Sequence, residues 1–86
     1  MLSISNNERK KMKLYKLSNE QYLWSSLMLE TPCASLREVF HIGTKVLQLP
    51  IAEIELCLIT MQELDHNVAI FEYPQGIFIR TERNNN

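Results

Sequence analysis

The stretch Pro50–Leu64, P-I-A-E-I-E-L-C-L-I-T-M-Q-E-L, most constrains what this chain can fold into. At the helical advance of about 100° per residue, Ile51, Ile54, Cys57, Leu58, Met61 and Leu64 gather on one side, as a stripe that covers a core. Ala52, Leu56 and Ile59 fall opposite them with Glu63, flanked by Glu53, Glu55 and Thr60. A helix that is apolar nearly all round has to be covered on two sides. It carries no Lys or Arg, so its outer face is expected to meet polypeptide and not phosphate.

The 86 residues suffice for one small domain with a core of three or four elements. The net charge of −1 conceals an asymmetry: residues 1–16 hold Arg9, Lys10, Lys11, Lys13 and Lys16 against Glu8 alone, and the remainder is acidic. The expected division is a disordered basic tail over 1–11, a single domain over 12–81 and a polar tail over 82–86. No apolar run is long enough to span a bilayer, and Met1–Asn7 lacks the apolar region of a secretory signal, so an intracellular protein without membrane association is expected. Cys33 and Cys57 do not form a disulfide framework and are expected to be reduced.

Met12, Leu14 and Leu17 hint at a short extended segment ahead of the first helix. Ser18, with Gln21 three residues on, has the pattern of a capping box, and Leu17 can pack on Tyr22 as a hydrophobic staple. This predicts a helix over 19–30 that buries Leu23 and Leu27, with Trp24 and Met28 beside them, and stops at Thr31-Pro32. Ser35 and Glu38 repeat the capping pattern and open a second helix. Its face is Leu36, Val39, Phe40, Gly43, Val46 and Leu47, and a glycine on that face points to close helix packing. Leu49-Pro50 breaks this helix and restarts it, giving a helix-turn-helix unit with Pro50 at the first helical position. Asn67 is a candidate for the left-handed residue after the third helix. Val68–Tyr73 and Ile77–Thr81 read as strands joined by a Pro74-Gln75-Gly76 turn.

Helix, helix, turn, helix and hairpin make the α+β fold expected here, a winged helix-turn-helix with three helices followed by a two-stranded wing. The last third carries the pattern Glu53-Ile54, Leu58, Met61-Gln62 and a short hairpin ending Gly76-Ile77, and it resembles the C-terminal winged helix of eukaryotic minichromosome-maintenance replicative helicase subunits. That resemblance implies contacts with loading factors and, in some members, DNA. Leu49, Glu53, Glu55, Met61 and Gly76 also resemble the winged-helix half of PCI scaffold subunits, which implies a role in holding protein assemblies together.

A groove-reading helix needs Arg, Lys, Asn or Gln on its outer face. Here that face offers Glu53, Glu55, Leu56, Ile59 and Glu63, which suit a protein partner or a second copy of the chain. Nucleic acid remains an alternative through Arg9, Lys10, Lys11, Lys13 and Lys16, whose charges suit salt-sensitive phosphate contacts; Arg37, His41 and Lys45, spaced four apart, extend that alternative. His41 and His66 have no Cys or carboxylate at a metal-ligand spacing, and the cysteines lack a C-x-x-C pattern. Only Gly43 and Gly76 are present, so there is no phosphate loop. The expectation is a non-catalytic interaction module without cofactor, metal, membrane anchor or small-molecule substrate.

Overall fold

The structure, a computed structural model, describes residues 10–27, 29–73 and 76–84. Arg9, Met28, Pro74 and Gln75 of the expectations above lie outside them. The fold is a five-stranded antiparallel sheet with two helices on one face: β1 (Lys10–Lys16), β2 (Tyr22–Ser25), β3 (Glu30–Cys33), α1 (Leu36–His41), α2 (Ile51–Leu64), β4 (Val68–Tyr73) and β5 (Phe78–Glu82). The strand order is β3-β2-β1-β4-β5. This overturns the winged helix: two helices stand where three were expected, and the hairpin is the far side of a full sheet.

The correction begins at β1. It lies in the middle of the sheet, with Leu14 opposite Trp24 on one side and Ala69 on the other. Side chains alternate across a strand. Met12 and Leu14 therefore turn toward the helices, while Lys11, Lys13 and Tyr15 turn away. The segment expected to be the first helix is a hairpin instead. Ser18–Glu20 is a short 3-10 turn with no side-chain cap, Glu20 adopts φ 59°, and the Leu17 N–H donates to the Gln21 carbonyl at 2.7 Å. β2 follows, and Leu27, 97% exposed, sits in the turn to β3 where the Ser26 N–H donates to Leu29. Pro32 lies in β3, a strand paired on one side only, where a missing N–H is tolerated.

Downstream, more of the expectation survives. Ser35 caps α1 by accepting from the Glu38 N–H at 3.4 Å, and Glu38 returns a bond to the Ala34 N–H at 2.8 Å. The chain then widens into a π-helical turn over Ile42–Val46, closed by Leu47 N–H to the Ile42 carbonyl. Gln48 adopts φ 59° and ends it. Pro50 precedes α2 as its cap, its carbonyl taking the Glu53 and Ile54 N–H groups. The left-handed residue after α2 is Asp65, with φ 57°, and not Asn67. The β4–β5 hairpin pairs Val68 with Glu82 through Glu72 with Phe78, and Gly76 takes φ 104°, a conformation that glycine alone adopts without strain.

The core lies between sheet and helices. Leu14, Trp24, Cys33, Ala69 and Phe71 from the strands meet Val39, Ile54, Cys57 and Met61 from the helices, with Leu49 closing the loop between them. Trp24 organises it: its Nε1 donates to the Val39 carbonyl at 3.1 Å, and its ring lies 5.5 Å from that of Phe71. Gly43 sits directly over this ring. A Cβ there would come within 2.9 Å of Trp24 Cζ2 and 2.6 Å of Ile54 Cδ1. Alanine gains roughly 1 kcal/mol of helix propensity over glycine, but overpacking against an anchored ring costs about 1–3 kcal/mol. Gly43→Ala is therefore expected to destabilise the domain, seen as a lower urea midpoint at unchanged slope; a raised midpoint would contradict the packing.

Candidate functional site

Of the six residues expected to cover the core from α2, Ile54, Cys57 and Met61 are buried against the sheet and Leu58 is partly buried, while Ile51 and Leu64, at the two ends of the helix, are exposed. The buried three fix which way the helix faces. The side turned away carries Ala52, Leu56, Ile59 and Glu63, spaced four, three and four residues apart, which keeps them in one row along the helix. Leu56 and Ile59 are 53% and 54% exposed, so the described chain leaves about half of each open to solvent. Glu55 flanks the row on one side; Glu53, half-buried, and Thr60 flank it on the other. Thr60 turns its hydroxyl back to the Leu56 carbonyl at 2.8 Å, so the methyl and the aliphatics dominate that stretch.

The carboxylates on this face are uncommitted. Among the described residues, ion pairs join Lys11 and Arg80 to Glu72, Arg80 to Glu82 and Arg83 to Asp65, and Glu53, Glu55 and Glu63 take part in none. No basic residue occupies the last turn of α2. Glu63 thus stands at the negative end of the helix dipole, an arrangement that costs about 0.3–1 kcal/mol instead of stabilising the helix.

Ile59 also borders a shallow groove of about 120 Å³, lined with Tyr22, Leu36, Leu58, Met61, Gln62 and Lys16. Leu36 is exposed across that groove. The aliphatic surface therefore continues from α2 toward the start of α1. Sequence periodicity assigns Leu36 to an inward face, and the strand that supplies Tyr22 was invisible while residues 19–30 read as a helix.

The basic residues are distributed differently from a tail. Lys11 and Lys13 are on the open face of the sheet beside Glu72 and Arg80, and Lys16 is at the end of β1 next to the groove. Desolvation pushes the Glu72 carboxyl up, but hydrogen bonds and charge from Arg80 and Lys11 together prevail and hold it below the usual range. Lys10 pairs through its backbone with Tyr73. Arg37 and His41 border a separate hollow of about 430 Å³ with Thr31, Pro32, Glu38 and Ile42, and Lys45 does not line it.

Elsewhere, His66 Nδ1 lies 2.8 Å from Thr81 Oγ1, tying the end of α2 to β5. The adjacent carboxylate, Asp65, turns to Arg83 at 3.6 Å and does not orient the imidazole. Among the described residues no cluster of three or more His, Cys, Asp or Glu could hold a metal ion, and no helix is long and apolar enough to cross a membrane. Both cysteines are free and buried. Burial pushes the Cys57 thiol up to about 12, and burial, then the Glu38 charge, raises that of Cys33. Because the thiolate is the reacting form, the native protein is expected to resist a disulfide reagent at mildly alkaline pH and to release both thiols only on denaturation. Fast native labelling of either would contradict this burial.

No family model, curated protein or solved structure matches this chain.

Proposed function

We propose that this chain is a non-catalytic protein-interaction domain that binds through the outer face of α2, with Leu56 and Ile59 as apolar anchors and Glu53, Glu55 and Glu63 around them. The observation that carries this reading is the exposure of Leu56 and Ile59 in one row on a helix whose opposite side buries Ile54, Cys57 and Met61 against the sheet. What sets this pair apart from single exposed aliphatics is that the two are neighbours in one row with carboxylates on both flanks. The groove bordered by Ile59 and Leu36 extends the surface and gives an anchoring side chain somewhere to insert.

The experiment compares the intact protein with a Leu56→Ser/Ile59→Ser double variant. Both residues are half exposed, so helix content by circular dichroism is expected to stay unchanged. Association is expected to be lost, whether it is read as mass in light scattering or as a partner retained from the native host. Equal mass and equal retention for the two proteins would overturn the reading.

A further inference from the structure

We infer that the occupant of the α2 face is an amphipathic helix of another protein, with an aliphatic seam flanked by Lys or Arg, and not a second copy of this chain. This rests on the reading of that face as an interface. The argument is one of charge. α2 is 14 residues long and contains Glu53, Glu55 and Glu63 with no Lys or Arg. Two copies packed along this row would bring six carboxylates around a common apolar seam, and like charges juxtaposed in an interface oppose association.

The positions of the acids fit a helical partner. Glu55 lies on one flank of the Leu56–Ile59 row and Glu53 on the other, while Glu63 continues the row toward the negative end of the dipole. A seam one side chain wide and two aliphatics long, with carboxylates on both sides, is the complement of a helix with leucine-like anchors at i and i+3 or i+4 and cations beside them. None of the three carboxylates has a cation within the described chain, so each is available to one from outside. Glu63 supports this further, because its place in the last turn weakens the helix that holds it, whereas a partner cation there would relieve the repulsion.

The test uses designed helical peptides of about five turns with one leucine seam and Lys, Gln or Glu at the flanking positions, titrated by fluorescence anisotropy at low and high salt. Three partly exposed ion pairs, each modest, together predict roughly a tenfold preference for the Lys-flanked peptide over the Glu-flanked one, shrinking with salt. The preference is expected to vanish in a Glu53→Gln/Glu55→Gln/Glu63→Gln variant that keeps its fold by circular dichroism. Binding that ignores flank charge, or no binding of any peptide, overturns the inference. If the peptides fail but Leu56→Ser/Ile59→Ser still abolishes a dimer seen in light scattering, the occupant is a second copy and the interface reading stands. If the double variant alters neither measurement, both fall.

Discussion

Trp24→Ala is expected to leave the domain largely unfolded at room temperature. The indole is fully buried in β2, stacks obliquely on Phe71 and underlies Gly43. Truncating a buried aromatic to alanine costs about 3–5 kcal/mol, and a domain of this size has only about 5–15 kcal/mol to begin with, its small core placing it toward the lower end. The deficit leaves little margin. Circular dichroism and urea unfolding measure it directly, and a variant with a cooperative transition near that of the parent would show that the Trp24 site is not central to the core. Trp24→Phe is the milder change: an aromatic ring stays in the core, while the donor to Val39 and part of the indole's volume go. The Val39 carbonyl still receives the Ile42 N–H, so the loss is expected to be smaller, about 1–2 kcal/mol.

Leu14→Asp is the second large effect. Leu14 is fully buried at the centre of the middle strand, between Trp24 and Ala69. A carboxylate there has neither water nor a cation, and an isolated buried charge costs several kcal/mol even after it neutralises itself. Global unfolding is expected. Removing residues 1–16 should have the same outcome, because it leaves the β2–β3 and β4–β5 hairpins with nothing between them. Lys11→Gln, three residues earlier on the opposite face, removes only an exposed pair with Glu72 at 3.6 Å and should change stability by less than about 1 kcal/mol. Equal tolerance of both substitutions in urea titrations would contradict the central placement of β1.

These two predictions mark where sequence and structure part. The α2 helix and the β4–β5 hairpin were legible because each is long, apolar and bounded by residues with fixed backbone preferences. The Ser35 cap and the Gly43 contact were legible for the same reason. Residues 10–16 were not. Lys11, Lys13 and Tyr15 occupy the open face, and Met12 and Leu14 the inner one with Lys16 at its end, so the lysine run hides a period-two alternation with two apolar members. The cross-strand neighbour that pairs with Lys11, Glu72, is some sixty positions away. In residues 22–33, Leu23 and Leu27 mimic a helical period, but the turn expels Leu27 to solvent and Trp24 turns inward. Ser18 and Gln21 match a capping box by composition alone, and Glu20 breaks the backbone before a helix can start. The outer row of α2 was legible from spacing, whereas the groove beside it depends on Tyr22 and Leu36 meeting across the fold.

The order β3-β2-β1-β4-β5 also bears on how the chain reaches its native state. The first three strands leave the ribosome together and can zip up as a meander, yet one side of β1 stays bare until β4 has been made about fifty residues later. Closing so distant a pairing is slow, and an unpaired strand border is where nascent chains stick to one another. Production yield should therefore respond to translation speed and to holding chaperones more strongly than the modest size of the domain would suggest.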